Sequence, residues 1–348
     1  MVTLLFIFAW CFIISLIFAL GNAIIWLMIK IGNVNMHTNV LLAPLSGCTD
    51  LSFRLVARER GAKFCFYEML DANSLTHNRR QSFAILATNK DDSPIAGQIL
   101  GAEGEIILDA AQRILSRVKL SFLDINCACP AKKVIKKKAG AHLLRDTPRL
   151  YSILKKVIPA VNVPVTIKIR IGYDAKDTHH ITALAKHCED LGVAAIAVHG
   201  RLAKQGYAGE VDYEHIKKIK EAVNIPVFGS GNVFSPVLAK KMLDETGCDG
   251  VLVARGALGN PWIFGQIEEY LKHSITPREI PIEEKKKALM KHLSYLQKYK
   301  DISRKGMVGF MRKIAMWYLK GMPKASRIRE NIMRANSYED IIKVSSAD

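Results

Sequence analysis

From residue 40 to residue 255, short apolar, β-prone runs alternate with amphipathic stretches. The runs are VLLAP (40–44), KFCFYE (63–68), PIAGQIL (94–100), FLDIN (122–126), PVTIKIR (164–170), AAIAVHG (194–200), IPVFGSG (225–231) and DGVLVAR (249–255). Between most of them lie segments such as EGEIILDAAQRIL, DTPRLYSILKKVIPAV, HHITALAKHCEDLG and SPVLAKKMLDETG, whose apolar positions recur at helical spacing. Eight β/α units in roughly 230 residues predict a TIM (β/α)8 barrel, which typically takes about 250. A doubly wound sheet is the structural rival, and it wants a Gly-rich fingerprint after its first strand. APLSGCTD is not G-x-G-x-x-G.

Past Pro261-Trp262 the strand signals stop. ITPREIP (275–281) reads as a linker, and 282–340 is helical in pattern and rich in Lys and Arg. The expected organisation is a barrel over 28–272 followed by an all-α C-terminal domain over 273–348. Ahead of both, residues 1–27 form an apolar leader, and no charged side chain occurs before Lys30. At helical rise that length crosses a bilayer core. Two readings follow: a transmembrane helix, or a start codon called too early, since MIKIGNVNMHTNV from Met28 reads like the opening of a soluble domain. A cleaved signal peptide fits less well, because the basic n-region is missing and the apolar stretch is too long.

Charge narrows the partners. The formal net charge is +18 and the pI near 9.6, which favours a polyanion, either nucleic acid or an anionic membrane surface. From Lys272 to Asp348 there are 18 Lys and Arg against 8 Asp and Glu, so the tail is the candidate docking surface. Seven cysteines, an odd number without the spacing of a disulfide framework, point to a reducing cytoplasm.

Barrel enzymes carry catalytic groups at the C-terminal ends of their strands. Those ends supply Glu68, Gln98, Asn126, Lys168, Arg170, His199 and Arg255. GSGN (229–232) and RGALGNPW (255–262) follow the last two strands and each opens a helix, the usual place for a phosphate in this fold. Of Lys168 and Arg170 in IKIR, one is expected to face the barrel interior. An inward Lys168 needs an anionic partner, either a bound anion or a carboxylate on a neighbouring strand. DINCACPAKKV (124–134) holds two cysteines one residue apart. Two thiols cannot complete a tetrahedral zinc site, and no nearby HxxxH or second CxxC supplies the rest. The pair is either buried filler or, beside Lys132 and Lys133 at the barrel mouth, the source of one reactive thiol.

The set LAPLSGCTDLSFR, GQILG, DINCACPAKKV, KIRIG, VHGR with QGYAGEVDYEHI, PVFGSGNV and RGALGNPWIF resembles the tRNA-dihydrouridine synthases, the bacterial B-type in particular. The likeness runs from about Met28 through MRKIAMWYLKGMPKASRIR (311–329). It implies an FMN-containing barrel with a helical tRNA-binding domain, reducing uridine in tRNA to 5,6-dihydrouridine with NADPH or NADH. By the same resemblance Pro44, Leu45 and Ser46 line the flavin, Gln98 and Lys168 hydrogen-bond its ring, and His199 contacts it. Ser230, Gly231 and Asn232, with Ala254 and Arg255, match the phosphate loops. Cys129 matches the catalytic cysteine and Asn126 a residue that positions the target base. Lys132, Lys133, Arg170 and Arg201 are assigned to the RNA substrate.

The chain departs from the family pattern in Ala128, where Gly is usual before the cysteine, in GSGN, where Asn-Gly-Asp is commoner, and in the leader. No metal and no protein partner are expected. The protein is expected in the cytoplasm, anchored to a membrane only if residues 1–27 are a real helix. The rival functions are another FMN barrel of the dihydroorotate dehydrogenase kind, which would not need the basic tail, and a non-catalytic RNA-binding barrel, which would need neither Cys129 nor Lys168.

Overall fold

A computed structural model describes residues 29–77, 83–320 and 325–346. A small antiparallel hairpin, β1 (Lys30–Ile31) and β2 (Val34–Asn35), comes first. Eight strands follow: β3 (Val40–Leu42), β4 (Phe64–Asp71), β5 (Ile95–Leu100), β6 (Leu123–Asn126), β7 (Val165–Arg170), β8 (Ile196–His199), β9 (Val227–Ser230) and β10 (Gly250–Val253). They pair in parallel in sequence order, and β10 closes onto β3, so the sheet is a complete TIM barrel. All eight expected runs are strands. Most are trimmed where the run passes into a loop, whereas β4 continues to Asp71 across an irregularity between Phe66 and Met69.

The strands read as continuous apolar runs because both faces are covered. In β4, Cys65 and Tyr67 pack outward under the helices, while Phe64 and Phe66 point into the barrel. Inside, Phe64 stacks on Phe122 at 5.1 Å and Phe66 meets Phe122 edge-on at 5.5 Å. Ile31 and Met36, from and beside the hairpin, join this interior cluster. Its apolar side chains, among them Leu41, Ala96, Phe228 and Leu252, sit low on the strands, which leaves the C-terminal ends for polar groups.

The outer layer comprises α1 (Leu51–Glu59), α2 (Ala72–Thr76), α3 (Gly104–Leu115), α4 (Lys132–Lys136), α5 (Thr147–Val157), α6 (Thr178–Asp190), α7 (Tyr213–Ala222), α8 (Pro236–Thr246) and α9 (Ile263–His273). Short polar residues start most of them. Asp50, Asp71, Asp146, Asp177, Asp212 and Ser235 each accept a hydrogen bond from a first-turn N–H, filling a donor the helix cannot satisfy itself. The segment after GSGN opens α8 as expected. After β10, however, Arg255–Ala257 form only a 3-10 turn, and α9 starts later, at Ile263.

The C-terminal part is helical, with α10 (Ile282–Tyr299), α11 (Arg304–Tyr318), α12 (Ala325–Arg334) and α13 (Tyr338–Ser346). It has its own core, in which Leu289, Leu293, Leu296, Ile314, Ile332 and Ile341 are buried together. α10 rides on α1. Phe53 meets His292 and Trp317 edge-on at 5.7 and 6.1 Å, Tyr295 bonds Glu59, and Lys300 pairs with Asp50 at 2.8 Å. At Gly259 a Cβ would overlap the carbonyl of Trp317, so only glycine lets the barrel's last loop lie this close to α11. Lys313 of α11 reaches the carbonyl of Gly47, in the loop after β3. No helix among the described residues is long and apolar enough to cross a membrane. Both readings of residues 1–27 lie outside the described residues.

Candidate active site

Barrel closure sets polar side chains side by side. Gln98, Asp124 and Thr166 stand in register on β5, β6 and β7, and one step further Asn126 is opposite Lys168 and Arg170 opposite His199. Thr166 Oγ1 donates to Asp124 at 2.6 Å, Gln98 Nε2 donates to Asp124 at 2.7 Å, and Asn126 Nδ2 donates to Gln98 Oε1 at 2.7 Å. Asn126 Oδ1 in turn accepts the backbone N–H groups of Ala128 and Cys129, at 3.1 and 2.9 Å. A hydrogen-bonded row thus runs from the barrel interior to the cysteine loop.

Above this row a cavity opens at the C-terminal ends of the strands, with about 910 Å³ of empty space counted to its open mouth. Its wall includes Pro44, Leu45 and Ser46 after β3, Gln98, Asn126 and Cys129, and Lys168, Arg170 and His199. Ser230, Gly231 and Asn232 after β9 and Ala254 and Arg255 after β10 complete it. The last two loops lie against each other, since a Cβ at Gly256 would overlap the carbonyl of Val233.

The two cysteines separate. Cys127 is fully buried and burial pushes its thiol well above the ordinary range, whereas Cys129 is half-buried and lines the cavity. Ala128 is not among the residues with positive φ, so it fits the backbone without strain.

Lys168 and Arg170 both face the cavity, and the expectation that only one would is corrected. Residues two apart on a strand share a face. Burial, followed by the charge of Arg170, pushes the Lys168 ammonium down to about 8, with Asp124 and Cys129 acting in the opposite direction. Lys168 makes no ion pair among the described residues. Lys168 thus has a carboxylate nearby but none within ion-pair distance among the described residues, which fits an anionic or electron-rich ligand edge.

Arg170 donates to the carbonyls of Ala128, Leu202 and Gly206, tying the cysteine loop to the loop after β8. Arg201 lies outside the cavity wall. It is buried and donates to Ala208 and Gly209 carbonyls and to Asn232 Oδ1, so it meets the cavity through Asn232. His199 is kept neutral, its value driven down to about 2 by burial and then by Lys168, Arg170, Arg201 and Arg255. The Arg255 guanidinium lies between the rings of Tyr207, at 4.4 Å, and Phe234, at 5.5 Å. Lys132 and Lys133 begin α4 and are exposed, away from the wall.

Sequence reasoning did not single out Asp124, or Met69, Tyr207 and Phe234 of the cavity wall. Asp124 did carry a signal, a carboxylate between the apolar Leu123 and Ile125 of FLDIN, which is expensive unless its acceptors are filled. Tyr207 and Phe234 carried none, because they reach the site from loops.

Fold and site together define a TIM-barrel enzyme whose cavity combines a thiol, a lysine ammonium and two closely packed glycine loops. The family model described as Dihydrouridine synthase (Dus) matches residues 41–346, and the chain belongs to that family of oxidoreductases. It is 38% identical over 307 residues to tRNA-dihydrouridine synthase B of Pseudomonas aeruginosa, an alignment covering 88% of this chain and 91% of that one. To the probable tRNA-dihydrouridine synthase of Rickettsia bellii it is 37% identical over 303 residues, 87% and 92% of the two chains. Among solved structures, histamine dehydrogenase from Rhizobium sp. 4-9 superposes with a TM-score of 0.55 at 11% identity, over 78% of this chain. The chain spans about half of that longer protein, 51% of it, and the likeness is one of fold.

Proposed function

We propose that the chain is a cytoplasmic tRNA-dihydrouridine synthase that reduces uridine in tRNA to 5,6-dihydrouridine, with FMN in the barrel cavity and NADPH or NADH as electron donor. The observation that carries this reading is the convergence of the Cys129 thiol and the Lys168 ammonium on one cavity rimmed by two glycine loops. In this reading residues 28–272 hold the flavin and 273–348 dock the tRNA.

Pro44, Leu45 and Ser46 would line the flavin, Gln98, Lys168 and His199 would meet its ring, and residues 230–232 with Ala254 and Arg255 would take its phosphate. When bound there, FMN would supply the hydride for C6 of the uracil, with the nicotinamide as the source of electrons. Lys168 would hold its charge against the electron-rich edge of the ring. Neutral His199 offers one donor and one acceptor without adding another cation. Asn126 orients the base, and Cys129 Sγ gives its proton to C5, where negative charge develops. Arg170 and Arg201 serve the substrate through the loop carbonyls they hold, which shape the wall on which the base rests. A stacked uracil must be drawn out of the RNA at a cost of a few kcal/mol. Lys132, Lys133 and the basic helical domain offset that cost through phosphate contacts.

The test is the dihydrouridine content, by nucleoside mass spectrometry, of unmodified tRNA incubated with the chain, FMN and NADPH. A gain is expected. Flavin binding and NADPH oxidation without any gain would instead favour a small-molecule FMN reductase.

A further inference from the structure

Asp124 sits between Leu123 and Ile125 in its strand, is 2% exposed, and makes no ion pair among the described residues. Burial lifts its carboxyl to about 6, and both of its oxygens accept, from Thr166 Oγ1 and Gln98 Nε2. An ionised carboxylate only accepts. Gln98 must therefore turn its nitrogen toward Asp124 and its oxygen away, and that oxygen takes the Nδ2 proton of Asn126. Asn126 is then left with its oxygen toward the N–H groups of Ala128 and Cys129. The row has an acceptor at one end and only donors at the other. Both amides between them are fixed in one orientation.

We infer that Asp124 is a positioning residue: as the acceptor at the head of this row it sets the orientation of Gln98 and Asn126 and, through them, holds the Cys129 loop. Its part in turnover rests on the function proposed above, whereas its part in holding the loop does not. An acceptor is what the row requires, and the negative charge is not. Asparagine can still accept from Gln98 while its own N–H donates to Thr166, whose hydroxyl works in either direction. Valine fits the strand and accepts nothing.

The experiment compares Asp124→Asn and Asp124→Val in the full chain, measuring amide hydrogen exchange at Cys129 and steady-state dihydrouridine formation. Asp124→Val is expected to exchange the Cys129 N–H at least about tenfold faster, a local loosening. Its kcat should fall about a hundredfold while KM for tRNA stays within about threefold, since positioning of the reacting groups is lost and docking is kept. Asp124→Asn should hold both readouts within about threefold of the parent. Parent-like exchange and turnover in Asp124→Val, with only a lower melting temperature, would reduce Asp124 to core filler. Equal losses in both variants would mean that the charge matters and the acceptor does not. If Asp124→Val does not fold, Asp124→Asn still decides, because loss of Cys129 protection in that variant overturns the inference. If the parent forms no dihydrouridine, the functional reading fails while the exchange comparison still tests the row.

Discussion

Cys127 and Cys129 lie two residues apart and are opposite in chemistry. One is sealed in the core with its thiol held protonated, and the other meets the cavity with its N–H fixed by Asn126. Cys129→Ala is accordingly expected to keep its flavin and to lose dihydrouridine formation by at least about a hundredfold, the usual scale for removing a general acid. Single-turnover reduction of tRNA by the pre-reduced variant checks this. Lys168 gives a pH signature. Its value in the folded protein, about 8, lies below that of a free lysine, so flavin-free protein loses this charge as pH rises through 8. FMN affinity should be flat below about 8 and fall by up to about tenfold per pH unit above it, and Lys168→Met should be weaker throughout and lack the slope. Quenching of flavin fluorescence on binding reads both.

At the scale of elements, α10 and α1 meet over a buried histidine. His292 contacts Tyr318 OH through Nδ1 at 3.3 Å, its Nε2 has no partner among the described residues, and its ring lies between Phe53 and Trp317. Burial pushes it down to about 4, against the attraction of Asp50 and with the help of Lys313. The folded value is the lower one, so the unfolded chain binds the extra proton first. The stability from this site is complete above about 6.5 and is lost as pH falls toward 4, by on the order of 3 kcal/mol. His292→Phe should flatten that limb of the curve of melting temperature against pH, and a variant curve parallel to the parent's would refute the assignment. The contact was invisible in the sequence, where helical spacing gave α10 its buried face but not its partner. That partner, α1, lies more than 220 residues earlier in the chain.

For the whole molecule, charge is the property that acts at a distance. The net +18 is concentrated in the C-terminal part, and Lys305, Lys320 and Arg327 there are exposed. Replacing all three with Gln should weaken tRNA binding and lower the slope of log affinity against log salt by about 2 to 3, since each phosphate contact contributes roughly 0.7 to 0.9. Anisotropy titrations from about 50 to about 200 mM salt measure it. An unchanged slope would move the docking surface elsewhere, with Lys132 and Lys133 the next to replace.

The sequence by itself determined the barrel, because strands covered on both faces must be apolar throughout and the helices between them must carry one apolar stripe. It also marked the site's loops, since glycines where two backbones nearly touch and polar residues at strand ends are local signals. Which side chains meet was decided only by the closed sheet. Register across β5, β6 and β7 put Asp124 between Gln98 and Thr166, and the path of the loop after β6 sent Cys129 into the cavity and Cys127 into the core. Arg201 is assigned to the RNA substrate by the sequence resemblance, yet in the structure loop carbonyls take up its donors. Periodicity reports how much of a residue is covered. The identity of its hydrogen-bond partner depends on chain segments 26 to 42 residues away that only barrel closure brings together.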